Sequence, residues 1–313
     1  MLFCQFVTYV LAGISRVYMT ESCGVSRATL SRKFKVFFEN PPHPIFIWKI
    51  SPPLITKLGA PWVYGFDGKW LGRGTVILIH RDVTNRQTLW WSMAASESIA
   101  AFSSDIRPFS HITKNNPPIG TISDWKPGIV RVMGETWKGI PQQRCLVHIE
   151  RDLKRLLPAG SPLVATRQLR IFATIICHIK TPSSRDKFTS QLLVWHTRYG
   201  ELLTERTTPK PGTTTRRWWY THGNLRKAWR ILIHNQDSLF RYLESPLLPT
   251  TNNSLEGINS HLARRRGLSK DYQVSLMFWQ LALSRCATPQ LRRQLWDIWK
   301  QVVSAGQSTQ NAT

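Results

Sequence analysis

Three short apolar segments between residues 62 and 94 constrain the fold of this chain more than any other feature. Their sequences are WVYGFDGKW, GTVILIH and QTLWWSMA, and Gly, Asp and Asn separate them. Segments rich in β-branched and aromatic residues between such turn residues are typical of β-strands. The connections between them are short, which favours antiparallel neighbours. The sequence therefore predicts an antiparallel meander of three strands.

Helices and strands alternate after this meander. We expect a helix from Glu97 to about Ser110, a strand in PIGTISD, a helix around Ile129 to Trp137 and a strand in QRCLV. Strand–helix–strand units of this spacing favour right-handed parallel crossovers. Three antiparallel strands followed by two parallel ones is the ribonuclease H-like order, an α/β mixed sheet flanked by helices. Periodicity alone does not select it over other α/β folds.

The first 60 residues predict a helical region and a linker. Gly24 separates two helical stretches and Ser26 is a good N-cap for the second, which is the layout of a helix-turn-helix. A plain helical hairpin is the alternative. Residues 1–13 are apolar but have no basic leader and are shorter than the roughly 20 residues of a membrane span, so a buried helix is favoured over a signal peptide. Six prolines predict a linker after residue 40.

The predicted segments follow one another along the whole chain. They are a helix-turn-helix region at 1–40, a Pro-rich linker at 41–60, the first part of a ribonuclease H-like core at 61–157, a helical insertion at 158–245, the final part of the core at 246–285 and a C-terminal helical tail at 286–313.

The charge of the chain predicts a nucleic-acid partner. Forty-two Lys and Arg against 18 Asp and Glu give a formal net charge of +24, more than solubility requires. Residues 206–236 contain no acidic residue, and cations there alternate with Trp and Tyr. Cations release counterions from polyphosphates and aromatic rings stack on bases. For the Trp residues, an inner packing stripe is the alternative.

Three carboxylates are candidates for metal chemistry. Asp67 is expected at the end of the first core strand and Asp124 at the end of the fourth, which would place them about 5 Å apart if those strands are neighbours. Carboxylates favour Mg²⁺ or Mn²⁺. Each has a simpler explanation: Asp67-Gly68 as a hairpin turn, Asp124 as a helix cap, and Glu256 with Asn253 as a capping box.

Four segments in order resemble a known family. GFDGKW, TISDWKPGI, RCLVHIERDLKRLL and TTNNSLEGINSHLARRRGLS look like bacterial insertion-sequence transposases of the DDE type, related to the Mutator-like group, over about residues 3 to 285. The resemblance implies that Asp67, Asp124 and Glu256 are the catalytic residues and the ligands of Mg²⁺ or Mn²⁺.

The resemblance also implies supporting residues. Cys145 and His148 match a Cys-x-x-His pair of the family, and Asn252 and Asn253 would steady the helix that carries Glu256. A buried structural Cys with a hydrogen-bonded His is the alternative, while two ligands are too few for zinc. Candidate DNA contacts lie in three basic groups: Arg27, Thr29, Arg32 and Lys33; Arg216 and Arg217; and Arg264, Arg265 and Arg266. A solvated helix face is the alternative for the last group.

The function that these features imply is DNA transposition. We expect an enzyme that cuts the ends of its mobile element and joins the freed 3′ hydroxyl to target DNA. A homodimer or larger assembly on DNA, in the bacterial cytoplasm and away from membranes, follows from the resemblance. The alternatives are a non-catalytic helix-turn-helix regulator or decayed transposase, and a ribonuclease H-like nuclease that hydrolyses without joining.

Overall fold

The computed structural model of this protein describes residues 2–210, 215, 217–234, 236–262 and 267–310, with side chains as far as residue 305. Four predicted DNA contacts, Arg216, Arg264, Arg265 and Arg266, lie outside the described residues. The chain divides into two units: unit 1 is Met1–Pro118 with Asn253–Thr313, and unit 2 is Ile119–Asn252.

Both units combine helices with strands. The strands are β1 (Val63–Gly72), β2 (Thr75–Asp82), β3 (Gln87–Ala94), β4 (Gly120–Ser123), β5 (Gln142–Arg144), β6 (Arg206–Thr207) and β7 (Trp219–Tyr220). The helices are α1 (Leu2–Ala12), α2 (Arg16–Cys23), α3 (Arg27–Glu39), α4 (Pro44–Ile50), α5 (Ile99–Ile112), α6 (Pro127–Thr136), α7 (Leu146–Leu156), α8 (Val164–Ile175), α9 (Pro182–Tyr199), α10 (Gly223–Ile233), α11 (Asp237–Phe240), α12 (Asn253–His261), α13 (Lys270–Arg285) and α14 (Pro289–Gln310).

The predicted meander is present in unit 1. β2 pairs antiparallel with both β1 and β3. Every residue of β2 is buried, because this strand lies between the other two and both of its faces are covered. The apolar segments of the sequence therefore predicted these three strands correctly.

The N-terminal helices of unit 1 form as the sequence predicts. Gly24 adopts a positive φ of 64° and ends α2, and the Ser26 side chain accepts the Thr29 N–H at 3.1 Å to cap α3. The first apolar segment is a buried helix, in which the Phe6 ring stacks on Phe37 at 4.3 Å. That residues 1–40 form a helix-turn-helix and bind DNA stays a prediction.

Residues 41–60 contain helical structure that the proline content did not predict, and their role as a linker stays a prediction. They contain α4 and a 3₁₀ helix at Leu54–Thr56, and the side chains of Ile47 and Ile55 are buried. Pro44 occupies the first turn of α4, where a missing N–H costs no hydrogen bond. Proline composition alone cannot separate such a helix start from a linker.

A buried hydrogen-bonded network joins the sheet of unit 1 to α5. The Tyr64 hydroxyl bonds His80 Nδ1 at 2.7 Å, and His80 Nε2 bonds Asp105 Oδ2 at 3.1 Å. The same carboxylate oxygen accepts the Ser92 hydroxyl at 2.5 Å. Burial and the Asp105 carboxylate raise the pKa of Tyr64 well above its usual value. The network satisfies polar groups that would otherwise be costly in a dry core.

Removing the carboxylate of this network is expected to destabilise the protein. Asp105→Ala removes the acceptor of the buried His80 and of the half-buried Ser92, which should lower the free energy of unfolding by about 2–4 kcal/mol. Urea unfolding followed by circular dichroism measures the change. Asp186→Ala, at an exposed carboxylate on α9, serves as the control and should shift stability by less than about 0.5 kcal/mol. An unchanged midpoint for Asp105→Ala would contradict the assigned role.

Unit 2 contains a parallel strand pair and a helical core. β4 and β5 pair in parallel, with Ser123 opposite Arg144, as the strand–helix–strand pattern predicts. β5 is shorter than the predicted QRCLV strand, because Cys145 is the N-cap of α7 and the chain turns into that helix. Buried side chains of α7 to α10, such as Leu153, Leu169 and Leu192, form the core.

The structure confirms the predicted fold class: the chain is α/β, with a mixed sheet flanked by helices. The ribonuclease H-like identity of that sheet and the six-part segment order stay predictions. Over the part of the chain that the structure describes, no helix combines the length and the apolar character needed to cross a membrane.

Candidate active site

Asp67 lies in the middle of β1 rather than at its end. It is opposite Ile79 of β2, and Gly68 is opposite Leu78. The strand continues to Gly72, so the expected position at a strand end is wrong, and so is the hairpin-turn alternative. The turn lies instead at residues 73 and 74, where Gly74 has a positive φ of 71°. The side chain of Asp67 therefore projects from a face of the sheet.

Asn259 of α12 binds that face of β1 through both its side chain and its main chain. Its Nδ2 donates to Asp67 Oδ2 at 2.7 Å, and its carbonyl oxygen accepts the Lys69 ammonium at 2.7 Å. The other carboxylate oxygen of Asp67 accepts the Gly68 N–H at 2.9 Å. Asp67 and Lys69 are two positions apart and share a face of the strand. These bonds fix α12 on the Asp67 face.

The start of α12 is held on the same face by β2. The Arg81 Nε donates to the Ser254 hydroxyl at 2.5 Å, and its Nη1 donates to Thr88 Oγ1 at 3.0 Å. Arg81 lies opposite Gly65, on the Asp67 side of the sheet. Its burial lowers the guanidinium pKa to about 10. Leu255 is fully buried beneath the helix.

Glu256 lies between these two attachments. It precedes Asn259 by three residues, so the two side chains lie on neighbouring positions of the helix surface. Its side chain is half-buried. The structure therefore brings the helix of Glu256 onto the face of β1 that carries Asp67. Asn253 is the exposed first residue of α12.

Asp124 directly follows β4, as predicted. Its carboxylate lies 3.8 Å from the Lys126 ammonium. The N-cap of α6 is Lys126 and its side chain makes no capping hydrogen bond, so Asp124 is not the helix cap of the alternative interpretation. The next residue, Trp125, has a φ of 69°, an unusual conformation for a bulky side chain.

Cys145 connects the end of β4 to the segment that leads into α12. Its N–H donates to the Ser123 carbonyl at 2.9 Å, and its Sγ accepts the Asn252 N–H at 3.3 Å. Cys145 and Asn252 are both buried. His148 is half-buried on the first turn of α7. A structural role for Cys145 follows from these bonds, whereas a role of either residue at a metal stays a prediction.

Sequence reasoning missed two polar residues that contact β1: Asn259 lies on the Asp67 face and Glu97 on the opposite face, which carries Gly68 and Trp70. No motif in the sequence singled out Asn259, although it lies about one helical turn beyond Glu256. Glu97 accepts the Trp70 Nε1–H at 2.6 Å, and a methyl group at position 68 would overlap its carboxylate. Thirty residues separate Glu97 from Asp67, and no motif connects them.

The donors around Asp67 suit a hard cation. Asn259 Oδ1 is buried and, among the described residues, has no hydrogen-bond partner. An amide oxygen and a carboxylate are ligands that Mg²⁺ accepts. No group of three or more His, Cys, Asp or Glu that could hold a metal ion occurs in the described ranges. The predicted metal site of Asp67, Asp124 and Glu256 therefore stays a prediction.

The predicted DNA contacts that the structure describes are mostly at the surface. Arg27, Arg32 and Lys33 of α3 are exposed, as is Arg217. Thr29 is half-buried and its hydroxyl lies 2.9 Å from that of Ser26.

The Trp residues of the basic segment 206–236 divide into two kinds. Trp229 stacks on Trp195 at 5.2 Å, so for this residue the packing alternative is correct. Trp218 is 40% exposed and lies 4.0 Å beneath the Arg206 guanidinium.

Asn259→Ala tests the attachment of α12. The substitution removes the amide donor to Asp67 Oδ2 and should lower the free energy of unfolding by about 1–3 kcal/mol. Amide hydrogen exchange over residues 253–261 should accelerate, because α12 loses a bond to β1. Ser260→Ala, at the exposed neighbour, is the matched control. Unchanged exchange in α12 would show that Asn259 does not hold the helix.

A transposase family matches part of this chain. Residues 134–259 match the family described as "Transposase IS66 family". The match covers less than half of the chain, and it includes Cys145, His148, Glu256 and Asn259 but neither Asp67 nor Asp124. No curated protein matches. The match supports an insertion-sequence transposase; the expected relation to the Mutator-like group is not confirmed, because the matched family is a distinct one.

Proposed function

We propose that this protein is a DNA transposase that cuts the ends of an insertion sequence and transfers the 3′ hydroxyl to target DNA. The family match and the net charge of +24 support this function. The observation that carries it is the bond between Asn259 and the Asp67 carboxylate. Through that bond, the last residue of the matched segment is attached to the carboxylate for which the resemblance implies catalysis.

Asp67, Asp124 and Glu256 are the proposed ligands of Mg²⁺ or Mn²⁺. Two bound metal ions would stabilise the attacking and leaving oxygens of an in-line phosphoryl transfer. The surrounding residues orient the ligands. Asn259 holds one oxygen of Asp67 by an amide hydrogen bond, and Lys69 holds the main chain of α12. Their effect is to keep both carboxylates in place before DNA arrives.

Cationic residues supply the proposed DNA contacts. Arg27, Arg32 and Lys33 are exposed along α3 and can reach phosphate oxygens. Because the two ends of an element are cut as a pair, we propose that the protein acts as a homodimer or larger assembly.

Substitution of the three carboxylates tests the proposed chemistry. Asp67→Asn, Asp124→Asn and Glu256→Gln should each abolish Mg²⁺-dependent nicking of the DNA that flanks the gene, because an amide cannot supply the ligand charge. DNA binding, measured by fluorescence anisotropy, should remain nearly unchanged. Asp186→Asn is a matched control with full nicking expected.

The products of the same assay separate the proposal from its rivals. A transposase yields joined strands, a ribonuclease H-like nuclease yields only cut strands, and a regulator yields neither. Nicking that survives any one of the three substitutions removes that residue from the site.

A further inference from the structure

Unit 2 contains a cavity of about 650 Å³ with a strongly basic lining. Trp125, Val130 and Ile231 supply apolar surface, and Asp152 supplies the one carboxylate. Five cations line the cavity: Arg131, Arg144, Arg155, Lys227 and Arg230. The Asp152 carboxylate is bonded to Arg155 at 2.7 Å, so the lining keeps a large positive excess.

Arg144 forms the buried part of this lining. Only 6% of the residue is exposed, and its Nη1 donates to the carbonyl oxygens of Ile231 and His234 at 3.0 and 3.3 Å. Its guanidinium lies 5.5 Å from the centre of the Trp125 ring. Its Nε is buried and has no hydrogen-bond partner among the described residues. Arg144 therefore places a buried positive charge beside the Trp125 ring.

Trp125 is held at the cavity in a strained conformation. Its φ of 69° is rare for a bulky side chain and is energetically unfavourable. The Trp125 N–H donates to the Ser123 hydroxyl at 3.3 Å, which helps to hold this geometry. A half-buried indole in such a position offers ring surface to a planar partner.

The other cations differ from Arg144 in being exposed. Lys227 and Arg230 are on α10, three residues apart, and therefore on neighbouring positions of one helix surface. Arg131 and Arg155 are exposed on α6 and α7. Positive charge on three helices suits a ligand with several phosphates better than one small anion. The volume lies within the usual range for a small-molecule site, about 300–1,000 Å³, which is too small for a duplex.

We propose that this cavity binds one unpaired nucleotide of the DNA strand. This proposal rests on the proposed function, which supplies the DNA. The base lies against Trp125, and the adjoining phosphates contact Arg155, Lys227 and Arg230. A base offers its ring face to a side chain only after leaving the helical stack. The neighbouring Asp124, one residue before Trp125, would then meet a strand that is locally unpaired.

Photo-crosslinking tests the proposal directly. Full-length protein in EDTA is irradiated with an oligonucleotide that carries 5-iododeoxyuridine in a single-stranded overhang, and the attached peptide is identified by mass spectrometry. We expect attachment at Trp125, and loss of that product when the same base is paired. Equal yields from paired and unpaired bases, or products only elsewhere, would overturn the proposal.

Variants separate this site from general electrostatics. Lys227→Glu with Arg230→Glu should lower the Trp125 product about tenfold. Lys180→Glu with Lys187→Glu makes the same charge change at exposed positions of unit 2 and should stay within about twofold of wild type. Equal losses in both double variants would overturn the proposal.

Variants of Trp125 test whether the base stacks on this side chain. Trp125→Ala should weaken binding of the overhang about tenfold, as expected for one stacked base, with no further loss when that base is replaced by an abasic unit. Trp125→Phe should restore binding. An unchanged affinity of Trp125→Ala would overturn the stacking contact.

The two proposals can fail separately. Attachment at Trp125 in a protein that never nicks DNA supports the nucleotide site and contradicts the transposase. Nicking and joining without attachment at Trp125 supports the transposase and contradicts the nucleotide site.

Discussion

The hydrogen bond between Asn259 and Asp67 is the constraint on which the candidate site depends. It joins residues 192 positions apart and lies between a charged acceptor and an amide donor. Such charge-assisted bonds are stronger than neutral ones. Removing a donor from a half-buried carboxylate therefore lowers the free energy of unfolding. Lys69 adds a second bond to the same residue of α12. The bonds of Asn259 to Asp67 and Lys69 therefore keep the helix that carries Glu256 on the sheet.

The sheet of unit 1 can present this carboxylate because its two faces have different partners. Tyr64 and His80 point towards α5 and end in the buried network with Asp105. Asp67 and Arg81 point to the opposite face, where α12 lies. Alternation along the strands thus separates a face that stabilises the fold from a face that holds polar groups for chemistry. A strand of ten residues leaves room for both.

The sequence predicted those parts of the fold whose cause is local. Apolar runs predicted β1 to β3, and the Ser26 cap predicted the start of α3. The position of Asp67 was wrong because the following Gly resembles a turn, while the pairing that extends β1 to Gly72 comes from β2. The helix α4 within residues 41–60 was missed because prolines also begin helices.

Features that depend on distant contacts could not be predicted. Asn259 and Glu97 become neighbours of β1 only through packing, and the strained φ of Trp125 has no signature in its sequence. The Cys-x-x-His motif singled out Cys145 for a role near the metal. In the structure, its hydrogen bonds join the main chain at Ser123 and Asn252. The roles of Asp67, Asp124 and Glu256 rest on the resemblance and on the geometry of each unit.

Iron-directed cleavage of the main chain tests the central claim most directly. Fe²⁺ replaces Mg²⁺, ascorbate and peroxide generate hydroxyl radicals at the bound ion, and the cut positions are mapped by mass spectrometry. We predict cuts next to Asp67, Asp124 and Glu256 that excess Mg²⁺ suppresses together. Cuts that leave out any one of the three, or that persist in excess Mg²⁺, would contradict a shared metal site.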